Sequence, residues 1–508
     1  MVGLQTKILN VLRSPQFFAA VLLLFFIESA WIAFSAAYPM VFDENTHFTI
    51  IQLYSHQLGP FFPAHSTYLD ATGAVVRDPS FLYHWLMSFP YRLIAHVTGN
   101  QMVQVIDLRF INIFMFGAAL VLFRRLLFKT KISPAIIHAT LLFFVLTPVV
   151  PLLAGQINYD NLLMLVTAAA LLMAVNIGGI MSETGRLPAA RTLSLLALCL
   201  SGSVVQMEFL PLFVAIFAWL GWRFFKVSRS GEFKLSQLAE DWRNSSRIRK
   251  LAVALPLVVA TWFCLQMYGV NLVRYHTLQP ACTQVLTAQQ CAGDSNWVRE
   301  QQALATNTHP TKNPVIYGVS WTYRMFIALF FTSSGGASPA ANYLSVNPFP
   351  LIFAAALGVF SLGVLLFVRY RRSIFEGYDY LGFLLFASLF YAGVLWLHNY
   401  GDYVHYGQKF AIQGRYIFPI ALPLMIIIAL AFRRLLGSRL HLKAALFSAL
   451  FILFLQGGGA LTYITDSNQN WYWQNRAVVR ANQMAQQVVK PFIVIRSPLG
   501  NFSRIVGD

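Results

Sequence analysis

Long uninterrupted runs of apolar residues dominate this chain. One run contains "FFAAVLLLFFI" near the amino terminus, and others contain "FINIFMFGAALVLF" and "FPIALPLMIIIALAF". A helix needs about 20 such residues to cross the hydrocarbon core of a bilayer. With 57% hydrophobic and 11% charged residues over 508 positions, a soluble domain could not hide this much apolar surface. The sequence therefore predicts an all-α polytopic membrane protein.

Hydropathy and charge divide the chain into about eleven predicted spans. These spans are 17–37, 102–123, 134–154, 161–179, 192–206, 209–225, 251–270, 348–369, 380–397, 416–433 and 443–463. The fifth and sixth are separated by a predicted hairpin turn near Gln206–Glu208, because one span over both would be too long. Two aromatic segments, 79–97 and 316–331, are predicted to be helices lying in the membrane interface.

The formal charge of +18 mainly reports topology. Lys and Arg cluster in short runs at the ends of apolar segments, as in Arg124–Lys131 and Arg433–Lys443. Such runs orient helices with the basic side in the cytoplasm and do not indicate a nucleic-acid partner. A transmembrane module is predicted over 1–464, with outer loops 38–101, 271–347 and 398–415. Residues 465–508 are predicted to form a short extracytoplasmic tail.

The chain has four cysteines. Cys199 and Cys264 fall in apolar helices and are predicted to be packing residues. Cys282 and Cys291 lie in the polar stretch "QPACTQVLTAQQCAGDSNW" of a predicted outer loop. A disulfide between them is predicted if that loop faces an oxidising compartment.

Acidic residues gather at the predicted outer membrane boundary. Asp43 and Glu44 follow the first span, Asp160 opens the fourth, Glu208 lies at the hairpin turn, and Asp402 lies in a late outer loop. Arg415, at the outer start of the tenth span, faces them. A carboxylate can accept a proton from an attacking hydroxyl. An arginine can hold a departing phosphate through two hydrogen bonds. This combination suits group transfer from a lipid-linked phosphate at the membrane surface.

Five motifs in order resemble the GT-C-fold membrane glycosyltransferases that use polyprenyl-phosphate sugars, such as protein O-mannosyltransferases and lipid A aminoarabinose transferases. These motifs are "FDENTHF", "PSFLYHWL", "DLRFINIFMFGAALVLF", "NYDNLLMLVTAAALL" and "IQGRYIFPIALPLM". The resemblance covers residues 17 to about 460 and implies a GT-C-like bundle. It also implies an inverting transfer of a sugar to a hydroxyl of a glycan, lipid or protein acceptor. The expected location is the bacterial inner membrane, with the active site on the extracytoplasmic face.

The resemblance also implies roles for individual residues. Asp43 is the expected base, and Glu44 orients it or binds a divalent cation (Mg²⁺ or Mn²⁺) together with Asp160. Arg415 is the expected phosphate-binding residue, with Arg109 as a second candidate. The remaining candidates for substrate binding are His47, Glu208, Gln413 and Tyr416.

Structural roles and other functions remain alternatives to this interpretation. Asp43 and Asp160 are also placed to be helix caps, and Arg415 could be an interfacial anchor. His47 could be an ordinary interfacial histidine. A transporter or flippase for a lipid-linked sugar is the main alternative function, and a lipid-binding scaffold is another. A transporter would place polar residues and helix breaks near mid-membrane, in corresponding halves of the chain.

Overall fold

The computed structural model describes residues 2–40, 42–62, 73–229, 246–306, 312–330, 350–457, 459–466 and 471–492. Within these ranges the regular structure is helical. The described residues contain one isolated β-bridge, between Ala36 and Tyr472, and no longer strand. The predicted all-α class is confirmed.

Eight helices are long and apolar enough to cross a membrane. They span Pro15–Ser35, Gln101–Lys129, Asp160–Thr184, Met207–Arg229, Arg247–Tyr275, Ile352–Gly377, Leu381–Tyr406 and Gly414–Leu436. Three shorter apolar helices span Pro134–Val145, Ala189–Val205 and Leu440–Gln456. The chain is therefore a polytopic membrane protein. Each predicted span overlaps one of these helices, and whether the shorter three also cross remains a prediction.

Two predicted boundaries differ from the structure, and a third agrees with it. The predicted span 134–154 is two helices, Pro134–Val145 and Val149–Ala154, interrupted at Pro148. The predicted outer loop 398–415 begins as helix, because Leu381–Tyr406 continues through its polar last turns. The turn predicted near Gln206–Glu208 coincides with a short 3₁₀ turn, Met207–Phe209, between helices Ala189–Val205 and Leu210–Arg229. Hydropathy reports polarity, and it therefore misses both a proline break and a polar helix end.

Shorter helices connect or cover the long ones. They span Val2–Arg13, Glu44–Ser55, Leu82–Val97, Cys282–Val285, Ala288–Cys291, Ser295–Ala305, Pro314–Ile327, Gly459–Asp466 and Arg476–Val489. Helices Leu82–Val97 and Pro314–Ile327 occupy the two segments predicted to be interfacial. The sulfurs of Cys282 and Cys291 are joined in a disulfide, whereas Cys199 is buried and free.

Contacts between loops define two ends of the helix bundle. At one end, which we call the Arg433 end, Lys131 pairs with Asp379 at 2.8 Å and Arg433 donates to Tyr378 Oη at 2.7 Å. The other end, the Arg415 end, holds Asp43, Asp160 and Arg415. Residues that the basic runs assign to one side of the membrane therefore lie together.

Residues 471–473 lie at the Arg415 end. Ala37 N donates to Trp471 O at 2.8 Å, and Trp473 N donates to Ser35 O at 3.1 Å. These bonds hold residues 471–473 against the carboxyl end of the first spanning helix. The predicted tail therefore begins beside the first loop, next to the candidate site.

Candidate functional site

Arg415 brings together the two acidic segments that the sequence places at the outer boundary. Its Nη2 lies 3.0 Å from Asp43 Oδ2, and its Nε lies 3.3 Å from Asp160 Oδ2. The Arg415 side chain is 1% exposed, so it is not an anchor that reaches out to the membrane surface. The predicted grouping of these three residues is present in the structure.

The guanidinium of Arg415 has unused hydrogen-bonding capacity. Its Nε and Nη1 atoms are buried and make no hydrogen bond within the described residues, and Asp160 Oδ2 and Gln413 Oε1 are in the same state. Buried polar atoms in native proteins nearly always have a partner, so each exception needs an explanation. Nε faces Asp160 Oδ2 in an ion pair, so Nη1 is the nitrogen that a bound anion beside Arg415 would satisfy. Arg415 therefore has a donor available to a ligand.

Two aromatic rings hold the guanidinium plane of Arg415. The Phe42 ring centroid is 4.9 Å from Cζ and the Tyr416 centroid is 5.2 Å away. Both contacts are within the range of cation–π attraction. The Tyr416 hydroxyl also lies 3.5 Å from Nη2. These contacts keep the guanidinium in a fixed orientation, which bidentate binding of phosphate requires.

Asp43 precedes helix Glu44–Ser55 but does not cap it with its side chain. Two other helices show the usual arrangement, in which Ser14 and Asn100 accept from the backbone N–H of Phe17 and Met102. Asp43 instead has left-handed backbone geometry, with φ 65°, and its side chain turns to Arg415 while remaining 61% exposed. Strained backbone of this kind concentrates at functional sites. The capping alternative for Asp43 is thus not what the structure contains.

Asn158 links Asp160 to the loop that carries Asp43. Its Oδ1 accepts from Asp160 N at 2.9 Å, and its Nδ2 donates to Phe42 O at 2.9 Å. Asn158 therefore satisfies the backbone at the start of helix Asp160–Thr184. The Asp160 carboxylate is left to face Arg415.

Glu44 and Arg109 form a separate, fully buried pair. Arg109 Nε donates to Glu44 Oε1 at 2.8 Å, and Nη2 donates to Oε2 at 2.7 Å. The backbone N–H groups of Met40 and Ile157 donate to the same carboxylate at 2.7 and 3.1 Å. The remaining Arg109 donors contact the carbonyls of residues 33, 36 and 37, at the end of the first spanning helix.

This arrangement corrects three expectations. A carboxylate has about four acceptor positions, and those of Glu44 are taken by protein donors. Glu44 therefore has no position left for a metal ion and does not orient Asp43. Arg109 likewise has no N–H available for a phosphate. The pair joins the first helix, the first loop and the segment before Asp160, so its role is to hold the site together.

Gly414 allows a close approach of backbone next to Arg415. A Cβ atom at this position would lie 2.6 Å from Ala328 C and from Leu329 N, which are backbone atoms that cannot rotate away. The carboxyl end of helix Pro314–Ile327 thus rests directly on the 3₁₀ turn Gly414–Ile417. This contact fixes the position of the Arg415 backbone relative to the end of helix Pro314–Ile327.

His47 lies in a buried histidine pair beside the site. Its Nδ1 is 2.9 Å from His84 Nε2, and its ring packs edge-on against Tyr159 at 4.5 Å. Burial lowers the pKa of His84 to about 3, opposed by a hydrogen bond to the Ser80 backbone. Burial, His84 and Arg415 lower the pKa of His47 well below its usual value. Both rings are therefore neutral at pH 7.

One ring nitrogen of the histidine pair is free of the protein. His47 Nδ1 and His84 Nε2 share a hydrogen bond, in which one ring donates and the other accepts. The second nitrogen of His47, Nε2, is buried without a hydrogen bond among the described residues. It is therefore available for a hydrogen bond with a bound substrate, the role expected of His47.

The two lowered histidine pKa values predict an acid-sensitive fold. Stability from a histidine buried neutral is present above the unfolded-state pKa near 6.5 and is lost as the pH falls toward the folded value. Between pH 7.5 and 5.0 the wild type is expected to lose roughly 2 kcal/mol more stability than His84→Gln. Thermal unfolding at both pH values measures this difference. His441→Gln, which removes an exposed histidine, should follow the wild type, and equal losses in all three proteins would contradict the assignment.

The remaining candidate residues lie at different distances from Arg415. Glu208 is within electrostatic range of Arg415 but is absent from the close ion pairs of the described residues. Gln413 directly precedes the Arg415 turn. Asp402 does not join the group and pairs with His398 at 3.7 Å.

Sequence reasoning missed Asn158 and His84. The polar run "GQINYDN" in an apolar chain was a signal for Asn158.

The described residues do not fit the divalent cation that the resemblance implies. Glu44 is fully occupied, and Asp43 and Asp160 both contact Arg415. No group of three or more His, Cys, Asp or Glu side chains within the described ranges is placed to hold a metal ion. The mechanism below therefore uses only the protein's own groups.

Comparisons with known protein families, curated proteins and solved structures find no match for this chain.

Proposed function

We propose that this protein is an inverting glycosyltransferase with a GT-C-like fold, which transfers a sugar from a polyprenyl-phosphate donor to a hydroxyl of an extracytoplasmic acceptor. The observation that carries the proposal is the buried Arg415 guanidinium, whose Nη1 has no partner among the described residues and which has a carboxylate on each side. It lies at the start of a spanning helix, where a lipid tail and an aqueous acceptor can meet.

Each residue has a defined task in the proposed reaction. Arg415 Nη1 binds the phosphate and stabilises the charge that develops as it leaves. Asp160, 4% exposed, holds Arg415 from the protein interior. Asp43, 61% exposed, is the group that a hydroxyl arriving from water can reach.

The bond changes balance without a further reactant. The acceptor oxygen forms a bond to the anomeric carbon, and its proton passes to Asp43. The bond from that carbon to the phosphate oxygen breaks, and its electron pair leaves with the polyprenyl phosphate. Attack opposite the departing phosphate inverts the anomeric configuration. The charged groups lie at one end of the bundle, which supports an enzyme. A transporter would have its charged groups near mid-membrane.

Binding of undecaprenyl phosphate tests the phosphate site without knowledge of the sugar. It is expected to raise the unfolding temperature of the wild type. Arg415→Lys should weaken binding roughly 10–100-fold, because lysine's point charge cannot replace a bidentate, charge-assisted contact. Arg274→Lys, at an exposed arginine on another helix end, is the matched control and should bind as the wild type does. Equal binding by the wild type and Arg415→Lys would remove Arg415 from the proposed site.

A further inference from the structure

An apolar cavity of about 480 Å³ lies between helices and reaches the Arg433 end of the bundle. Aromatic and aliphatic side chains from several helices form most of its wall, including Phe143, Phe330, Phe360, Phe432 and Phe447. A volume of this size is typical of sites that bind small molecules. We call it the basal cavity, because its charged lining residues lie at the Arg433 end.

Among the described residues, the basal cavity is lined by three cations and by no carboxylate. Arg13 ends the first helix, Arg433 lies in the last turn of helix Phe418–Leu436, and Lys443 lies in the first turn of Leu440–Gly457. Arg433 donates to Tyr378 Oη and Lys443 donates to Gly437 O. The ion pairs of the described residues include none of these three cations.

The combination of an apolar interior and a cationic mouth selects an anionic amphiphile. A transmembrane helix could fill the apolar part but would leave three positive charges without a partner. Basic pockets between helices on one side of a membrane are known to bind lipid head groups. The polyprenyl donor proposed above would not bring its phosphate to these three cations, because that phosphate would be at Arg415. Arg415 and Arg433 lie near opposite ends of the spanning helix Gly414–Leu436. At about 1.5 Å rise per residue, the two arginines are roughly 27 Å apart along the helix axis.

We propose that the basal cavity binds an anionic phospholipid, with an acyl chain in the apolar interior and the phosphate between Arg13, Arg433 and Lys443. The phosphate position is at the opposite end of the bundle from Arg415, and the proposal does not depend on the catalytic function. The lipid would pack between helices Pro134–Val145, Pro350–Gly377, Phe418–Leu436 and Leu440–Gly457.

Native mass spectrometry of the full chain in mixed micelles tests this proposal. The probes are phosphatidylglycerol and phosphatidylcholine with identical acyl chains. The wild type should retain phosphatidylglycerol in preference to phosphatidylcholine. In the double variant Arg433→Gln, Lys443→Gln the ratio of the two bound lipids should fall roughly 10–30-fold. The matched control is Arg371→Gln, Arg372→Gln, which removes two exposed charges at the same end but outside the cavity. This control should keep the preference.

A second variant tests the apolar part of the site. Ala444 lines the cavity, and Ala444→Phe should reduce retention of phosphatidylglycerol without changing any charge. Equal retention of the two lipids by the wild type would overturn the proposal, as would an unchanged preference in the Arg433/Lys443 variant. Displacement of bound phosphatidylglycerol by undecaprenyl phosphate would also overturn it, because the cavity would then belong to the donor.

Discussion

Asp43→Asn is expected to lower the rate of sugar transfer about 10²–10⁴-fold, the usual effect of removing a general base. The amide keeps the size of the side chain and can still contact Arg415, but it cannot take the proton of the attacking hydroxyl. A hydroxyl becomes acidic only as its bond to the sugar forms, so the carboxylate acts mainly in the transition state. Binding of undecaprenyl phosphate should therefore be largely retained. Initial rates and binding measured on the same preparation separate the two effects.

Asp107→Asn is the matched control for this variant. Asp107 is an exposed carboxylate on helix Gln101–Lys129 and makes no ion pair within the described residues. Its replacement changes the net charge by the same amount and should leave the rate unchanged. A wild-type rate in Asp43→Asn would mean that Asp43 only positions Arg415, and the proposed proton transfer would be wrong.

Glu44→Gln is expected to destabilise the protein by about 3–5 kcal/mol, because it leaves the buried Arg109 charge without a compensating partner. The substitution preserves the shape of the side chain, so no cavity contributes to the loss. It also places an amide N–H₂ group where Met40 N and Arg109 Nη2 now donate. Unfolding by sodium dodecyl sulfate in mixed micelles measures the free-energy change.

A double-mutant cycle distinguishes a broken ion pair from general damage. Glu44→Gln combined with Arg109→Met removes both charges and should be more stable than Glu44→Gln alone. Glu183→Gln, at an exposed position of helix Asp160–Thr184, should have little effect. If Glu44→Gln folds as stably as the wild type and instead abolishes transfer, Glu44 is catalytic and the structural role assigned here is wrong.

The sequence predicts the membrane class and the meeting of distant residues for clear physical reasons. Apolar segments long enough to cross a bilayer must do so as helices, because their backbone polar groups have no water to bond. Basic runs then assign a side to every loop. Asp43, Asp160 and Arg415 were thereby placed at one boundary, and the structure joins them directly.

The division of labour between Asp43 and Glu44 could not be read from the sequence. Both are acidic, and they are adjacent. The left-handed backbone at Asp43 sends its side chain toward Arg415, whereas Glu44 begins the helix and turns inward to Arg109. Arg109 resembles a phosphate-binding residue in a motif, but all its donors are used inside the protein. Only three-dimensional packing tells an occupied arginine from an available one.

The sequence also did not predict the polar residues that position other site residues. His84 lies in an aromatic segment that hydropathy marks only as interfacial, and its pairing with His47 depends on the packing of two short helices. Asn158 was visible only as part of a polar run. Its bonds to Asp160 N and Phe42 O depend on how two loops meet.

The most direct measurement of the central claim is turnover of lipid-phosphate sugars by the purified wild type in proteoliposomes. The substrates are a panel of undecaprenyl-phosphate sugars, with a cell-envelope extract as the source of acceptors. The account predicts that at least one donor releases free undecaprenyl phosphate together with an equal amount of glycosylated product of inverted anomeric configuration. Donors that remain intact across the panel, in preparations that bind undecaprenyl phosphate, would contradict it, and their movement between leaflets would identify a transporter instead.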